Sequence, residues 1–208
     1  MFKRKCKIIF VRHGATIYSE QNRLYDSEDY PPINQKGKEE ANNICKWLDI
    51  RSTHVDKIYS SSALRAVQTA RIIEKNISCT YEIMDELHER KSGIWGGLTF
   101  DQIEEKYPEM LKAYHENPYD YFPEGGETNQ ELRKRVETII PKIVKENLYK
   151  TVIVVTHSGV IQAAIASALY VPIEHQTKII IPTGSATQIN YFDSWSNVAY
   201  TGYKPVWG

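Results

Sequence analysis

The chain has 208 residues and a mass of 24.0 kDa, and its 41% hydrophobic and 25% charged residues are typical of a globular protein. Its 26 basic and 26 acidic side chains give a formal net charge of zero, which argues against chain-wide electrostatic binding to nucleic acid or to an anionic membrane. Three cysteines without a C-x-x-C pair argue against a disulfide framework and suit a reducing compartment. No apolar stretch is long enough for a signal peptide or a membrane span, so we expect a soluble, cytoplasmic protein with one domain over residues 1–208.

Short apolar runs rich in β-forming residues alternate with helical patterns, which predicts an α/β fold with a mainly parallel sheet. The predicted strands are Lys7–Val11, Lys57–Tyr59, Thr151–Thr156, Lys178–Ile181 and Ala186–Phe192. The predicted helices are Gln35–Asp49, Ser62–Lys75, Thr99–Lys106, Pro108–Asn117, Thr128–Asn147 and Gly159–Leu169. Residues 193–208 show no clear period and receive no assignment.

The helix that begins at Thr128 has the most complete pattern. Thr128 and Glu131 have the spacing of a capping box. The apolar stripe that follows comprises Leu132, Val136, Ile139, Ile140 and Ile143. Pro141 lies inside this pattern, so we expect it to bend the helix or to end its regular hydrogen-bond ladder.

Polar and cationic side chains follow the two most apolar strands. Arg12-His13-Gly14 comes after the first strand, and His157-Ser158-Gly159 comes after the strand that ends at Thr156. In open α/β sheets, ligands bind beyond the carboxyl ends of parallel strands and against helix N-termini. Arg65 is placed in the first turn of a helix, where it opposes the helix dipole. Two histidines and two arginines at one sheet edge therefore predict a phosphate pocket.

These residues belong to five ordered blocks that resemble the histidine phosphatase superfamily, in its phosphoglycerate mutase-like branch. The blocks are Phe10–Thr16, Tyr59–Ala70, Leu87–Leu98, Pro123–Thr128 and Val154–Ile161. The resemblance spans roughly residues 7 to 192, and it implies a three-layer α/β/α sandwich around a mainly parallel sheet.

The resemblance also implies a role for each matching residue. His13 would be the nucleophile that forms a phosphohistidine, and Glu89 would be the general acid that protonates the leaving alkoxide. Arg12, Arg65 and His157 would hold the phosphate and offset its charge in the transition state. The residues expected to bind substrate are Arg12, Ser19, Arg65, His157 and Ser158. Neither a metal nor another cofactor is expected, because cationic side chains replace Mg²⁺.

Several positions depart from the family pattern or leave alternatives open. Ser19 stands where an asparagine is usual, Tyr25-Asp26 replaces a common Gln-Gly pair, and Gly96 replaces an acidic residue. These changes leave the identity of the substrate open. The nearby carboxylates that could take the role of Glu89 are Glu82, Asp85 and Glu86. The histidines expected to be surface or packing residues are His54, His88, His115 and His175, and their spacing fits no zinc or iron motif.

Residues 98–123 would form the family's lid over the active site. This segment holds six acidic residues, two basic residues and six aromatic residues. It is either an ordinary helical cover with its aromatic side chains facing the core, or a lid that favours a weakly charged, partly apolar leaving group and repels polyanions.

The sequence therefore predicts a metal-independent phosphatase that acts on a small phosphorylated metabolite. A cofactor-dependent phosphoglycerate mutase is the first alternative, although the interval from Glu89 to His157 is short for a mutase. A non-catalytic binding protein of the same fold is the second alternative. The expected partner is the metabolite alone, without nucleic acid or membrane, and whether the chain forms a homodimer is left open.

Overall fold

The computed structural model describes residues 3–26 and 30–206. Within them, the strands are β1 (Cys6–Arg12), β2 (Lys57–Ser60), β3 (Tyr81–Ile83), β4 (Thr151–Thr156), β5 (Ala186–Tyr191) and β6 (Ser196–Tyr203). They form a six-stranded sheet in the order β3-β2-β4-β1-β5-β6. The first four strands in this order run parallel. β5 then pairs antiparallel with β1, and β6 pairs antiparallel with β5.

Helices cover both faces of the sheet. The α-helices of the described residues are α1 (Ile17–Glu20), α2 (Gln35–Ile50), α3 (Leu64–Ile77), α4 (Phe100–Lys106), α5 (Pro108–Glu116), α6 (Asn129–Glu146) and α7 (Ser158–Ala168). Short 3₁₀ helices span Asp85–Leu87, Gly93–Trp95 and Ile173–Lys178. None of the helices formed by residues 3–26 and 30–206 is long and apolar enough to cross a bilayer.

Two apolar clusters separate the helices from the sheet. On one face, α6 and α7 pack against side chains such as Ile8 and Val154. On the other face, α2 and α3 pack against side chains such as Ile9 and Val155. Because successive strand residues point to opposite faces, the continuous apolar runs of β1 and β4 fill both clusters. The predicted three-layer α/β/α sandwich around a mainly parallel sheet is confirmed.

One predicted strand is wrong. Lys178–Ile181 forms no strand, because the 3₁₀ helix runs to Lys178 and an irregular segment follows it. The main-chain carbonyls of this segment accept side-chain hydrogen bonds instead of ladder bonds: Ile179 O from Gln162 and Ile181 O from Arg12. The short run of isoleucines suggested a strand, but the chain there has no strand partner for its carbonyl groups among residues 3–26 and 30–206.

Other elements differ from the sequence-based expectation in extent. The sequence did not predict α1, β3 or β6, and β6 lies within residues 193–208, which received no assignment. β6 is an edge strand with exposed and half-buried residues, so it lacks the apolar run that marked β1 and β4. The helix at Thr128 has the expected capping box, but it continues through Pro141, which lies on its exposed side.

Candidate active site

The two histidines meet at the carboxyl edge of the sheet, as the sequence predicts. β1 and β4 are neighbouring parallel strands, and His13 N–H donates to Thr156 O at 3.0 Å. The ring centroids of His13 and His157 lie 5.2 Å apart, and both side chains are fully buried. The strand pairing itself therefore fixes the distance between these two imidazoles.

The hydrogen bond of His13 defines which ring nitrogen can react. Nδ1 lies 2.9 Å from Gly14 O, and a carbonyl oxygen can only accept, so Nδ1 carries the proton. Nε2 has no hydrogen-bond partner among the described residues. Burial, followed by the charges of Arg65 and Arg12, holds the pKa of His13 well below its usual value of 6.5. His13 is therefore a neutral imidazole with a free lone pair on Nε2.

His157 lies next to His13, with 5.2 Å between the ring centroids. Its Nε2 lies 2.9 Å from Ser61 Oγ, which in turn accepts from Ala63 N–H. When Ser61 donates to Nε2, the proton of the ring sits on Nδ1, which has no partner among the described residues. Burial, and then the nearby charge of Arg65, holds the pKa of His157 well below its usual range.

Arg12 and Arg65 lie close enough to His13 for their charges to lower its pKa. Arg12 Nη1 donates to Ile181 O at 2.6 Å. Arg65 is the second residue of α3 and is fully buried. Thr69 Oγ1 donates to Arg65 O at 2.8 Å and accepts from Gly14 N–H at 3.0 Å. The first turn of α3 is thus tied to the loop that carries His13.

Glu89 lies at the N-terminus of α7. Gly159 N–H donates to its Oε1 at 3.1 Å and to its Oε2 at 3.3 Å, and Ser158 Oγ donates to Oε2 at 3.1 Å. A Cβ atom on residue 159 would lie 2.5 Å from Glu89 Oε1, so only glycine permits this close approach. Among the alternative carboxylates, Glu82 forms an exposed ion pair with Lys57 at 2.7 Å. The structure thus places Glu89, rather than Glu82, beside the pocket.

Ser19 and Tyr25 also line the pocket. The Ser19 hydroxyl donates to Thr16 O at 2.9 Å and accepts from Thr16 N–H at 2.9 Å, as part of the capping box of α1. While these bonds hold, Ser19 shapes the loop and does not offer its proton to a ligand. Tyr25 OH lies 2.8 Å from Thr16 Oγ1, and the Tyr25 ring meets the His13 ring edge-on at 5.4 Å.

A cavity of about 980 Å³ lies beside this group of residues, while the fully buried His13, Arg65 and His157 are set back from its lining. Arg12, Ser19, Glu89 and Ser158 line it, and so does Arg90. Arg90 Nη1 donates to Asn129 Oδ1 at 3.2 Å, and its guanidinium lies 4.1 Å from the ring centroid of Phe122. This volume suits a small organic ligand.

Two residues that support the site were not predicted. Thr69 connects Gly14 to Arg65, as described above, and Glu40 accepts a hydrogen bond from Ala15 N–H at 2.8 Å. Glu40 sits on the buried face of α2 beside Gly37 and Ala41. A carboxylate within that apolar stripe was the available signal, because acidic residues are rarely buried without a partner.

A buried, neutral imidazole near two arginines, at the carboxyl edge of a parallel sheet, is the arrangement expected of a phosphoryl-transfer site. The model of the histidine phosphatase superfamily (branch 1) matches residues 8–200. The chain belongs to this superfamily.

Named relatives agree with this assignment. The chain is 30% identical over 165 residues to phosphoserine phosphatase 1 of Hydrogenobacter thermophilus, with 78% of this chain and 76% of the relative covered. It is also 30% identical over 203 residues to a metal-independent phosphoserine phosphatase of Arabidopsis thaliana, with 93% and 82% covered. The solved structure of Bacillus stearothermophilus YhfR superposes with a TM-score of 0.86 at 26% identity, covering 95% and 97% of the two chains. The prediction of a phosphoric monoester hydrolase is confirmed at the level of enzyme class.

Proposed function

We propose that this protein is a metal-independent phosphatase that hydrolyses a small phosphorylated metabolite through a phosphohistidine on His13. The observation that carries the proposal is Nε2 of a neutral, buried His13, which has no hydrogen-bond partner within residues 3–26 and 30–206. The charges of Arg65 and Arg12 act on His13, and the His157 ring lies 5.2 Å from the His13 ring between centroids. We assign the binding of the phosphate to these three side chains.

In the first step, His13 Nε2 attacks phosphorus and the ester P–O bond breaks. Glu89 donates its proton to the departing alkoxide, which leaves as an alcohol. In the second step, Glu89, now a carboxylate, takes a proton from water. The resulting hydroxide attacks phosphorus, the P–N bond breaks, and inorganic phosphate leaves with His13 neutral again.

The pocket stabilises charge with its own side chains. The transition state spreads negative charge over the non-bridging oxygens, and fixed donors aimed at those oxygens lower its energy. Arg65 is suited to this role because α3 and the Tyr25 ring hold its guanidinium in place. We propose that these cations make a divalent metal unnecessary.

The segment 98–123 is proposed to act as a lid within a domain that covers the whole chain. Phe100 lines the cavity, while Ile103 and Leu111 pack with Trp95 in a separate apolar cluster. The six acidic residues of this segment disfavour polyanionic substrates. The proposed substrate is therefore a monoester with one phosphate and a small organic group.

A phosphoglycerate mutase remains the alternative, and one observation favours it. Arg90 offers a cation at the cavity wall, where a second anionic group of a substrate could bind. A mutase would interconvert the two monophosphoglycerates when primed with bisphosphoglycerate and would release little free phosphate. A phosphatase releases phosphate from several unrelated monoesters.

The test combines turnover with trapping of the intermediate. Wild-type protein, incubated with an aryl phosphate and a chelator, should release phosphate and carry an acid-labile phosphoryl group when quenched rapidly. His13→Ala should lose both signals and keep its circular dichroism spectrum, and the exposed His175→Ala should keep both. Full turnover in His13→Ala would refute the mechanism. Wild-type protein that releases no phosphate from any monoester would instead indicate a non-catalytic binding protein.

A further inference from the structure

The carboxylate of Glu40, on α2, binds three separate parts of the chain, one of which is the loop that carries His13. Glu40 is only 5% exposed. Its Oε2 accepts from Ala15 N–H at 2.8 Å, and its Oε1 accepts from Thr183 Oγ1 at 3.1 Å and from Lys204 Nζ at 2.6 Å. The carboxylate is thus bonded to the nucleophile loop, to the turn before β5 and to the residue that follows β6.

Two of these contacts, those with Ala15 and Thr183, lie next to residues of the candidate active site. Ala15 lies two residues after His13, so its N–H fixes the exit of the nucleophile loop. In the turn beside Thr183, Gly184 N–H donates to Arg12 O at 3.2 Å and to His13 O at 3.1 Å. The Glu40 carboxylate therefore restrains the main chain on both sides of His13, although it touches no reacting atom.

Lys204 completes this arrangement electrostatically. The ammonium group lies against a carboxylate that is almost fully buried, and a buried carboxylate left without its counter-charge is strongly disfavoured. Without Lys204, the Glu40 side chain would be driven toward water and away from Ala15. A contact at the end of the C-terminal strand would then change the position of the nucleophile loop.

We propose that Glu40 and Lys204 form a positioning pair that holds His13 and Arg12 in their reactive geometry. This inference rests on the proposed phosphatase function. It assigns a role to part of the segment 193–208, which the sequence left without one. It also predicts that the two residues act as one unit, so that removing one partner lowers kcat more than removing both charges.

The test is a double-mutant cycle with Lys204→Met, Glu40→Gln and the double variant. Lys204→Met leaves an uncompensated carboxylate, and Glu40→Gln turns an amide NH₂ toward an ammonium group. In the double variant, the amide oxygen can accept from Ala15 N–H while its NH₂ donates to Thr183. Each single change should lower kcat by roughly 10- to 100-fold with a smaller change in KM, as expected for a displaced nucleophile. The double variant should recover most of kcat.

Lys5→Met is the matched control. Lys5 also binds the C-terminal segment, through a 2.7 Å ion pair with Asp193, but it precedes β1 at the end of the sheet opposite to His13. The Lys5→Met variant should therefore keep the wild-type kcat. Three outcomes would overturn the proposal. Lys204→Met could keep the wild-type kcat, or the losses of kcat in the two single variants could simply add up in the double variant. The loss of kcat could also be no larger than the fraction of unfolded protein.

Hydrogen exchange of the Ala15 amide separates this inference from the proposed function. Lys204→Met should accelerate its exchange, the double variant should restore its protection, and Lys5→Met should leave it unchanged. This readout does not depend on turnover. Inactive wild-type protein would therefore refute the phosphatase, while the exchange rates would still decide whether the pair holds the loop.

Discussion

The guanidinium of Arg65 lies over the ring of Tyr25, with Arg65 Cζ 3.9 Å from the ring centroid. The same ring meets His13 edge-on, and its hydroxyl is bonded to Thr16 Oγ1. Tyr25 thus forms a wall that touches both the proposed nucleophile and one of its cationic partners. Since the sequence places tyrosine where the family usually has glutamine, this wall is a particular feature of the present site.

Removal of the Tyr25 ring should impair turnover more than removal of its hydroxyl. Tyr25→Phe keeps the cation–π contact with Arg65, whereas Tyr25→Ala loses a contact of about 0.5–2 kcal/mol and admits water to the pocket. We expect kcat/KM to fall by about tenfold in Tyr25→Ala and to stay near the wild-type value in Tyr25→Phe. Equal losses in steady-state assays of the two variants would show that the hydroxyl, not the ring, is the important group.

The planar donors of Arg65 should be essential. Arg65→Lys keeps the charge but loses the fork of N–H groups, and the loss of one transition-state donor costs about a hundredfold or more in rate. The control is Arg71→Lys on the same helix, where the side chain is exposed and bonds to Tyr81. Steady-state rates should fall for the first variant only. A silent Arg65→Lys would remove this residue from the proposed phosphate pocket.

The role of Glu89 can be tested through the leaving group. Glu89→Gln cannot protonate an alkoxide, so hydrolysis of alkyl phosphates should be strongly slowed. Aryl phosphates should be less affected, because their leaving groups need little protonation. Glu86→Gln, which changes an exposed carboxylate of the neighbouring 3₁₀ helix, serves as the control. If both substrate classes lost activity equally in Glu89→Gln, the residue would be assigned to positioning alone.

The buried imidazoles should make the fold sensitive to acid. The pKa values of His13 and His157 lie well below 6.5 in the folded protein, chiefly because of burial. As the pH falls below about 6.5, the unfolded chain binds protons at these residues while the folded protein does not. The free energy of unfolding should therefore decrease toward acid, by at most about 1.4 kcal/mol per pH unit for each histidine.

Urea unfolding between pH 7.5 and pH 5 measures this slope. His157→Gln should make the slope shallower, because one of the two buried groups no longer titrates. His175→Gln, at an exposed histidine, should leave the slope as it is in the wild-type protein. A free energy of unfolding that is flat below pH 6.5 would contradict the neutral state assigned to His13.

The main features of the fold could be predicted because β1 and β4 are continuous apolar runs that are easy to recognise in the sequence. Both are buried on two faces, so their apolar runs leave no polar alternation that would suggest another structure. The edge strand β6 has half-buried and exposed residues and offers no such signal. The isoleucines near residue 180 gave a false signal, because side chains rather than strands satisfy their carbonyl groups.

In the candidate site too, the residues that follow local sequence patterns could be predicted, and the contacts between distant parts of the chain could not. His13 and His157 follow recognisable strands, so their meeting at one sheet edge could be predicted. The supporting contacts of Thr69 and Glu40 join residues far apart in the chain, and no local pattern encodes such a pairing. The hydrogen bonds between the Ser19 hydroxyl and the main chain of Thr16 could not be predicted either, because they depend on the turn that α1 adopts.

The central position of β4 has a consequence for how the protein acquires its site during synthesis. β4 lies between β2 and β1 in the sheet, yet it is made after both of them. A nascent chain that ends before Thr151 already contains His13, Arg65 and Glu89, but the strand that must separate β1 from β2 is missing. Closing such a long loop is slow compared with forming local helices. A phosphate-binding pocket can therefore arise only after β4 has left the ribosome and has entered the sheet between β1 and β2.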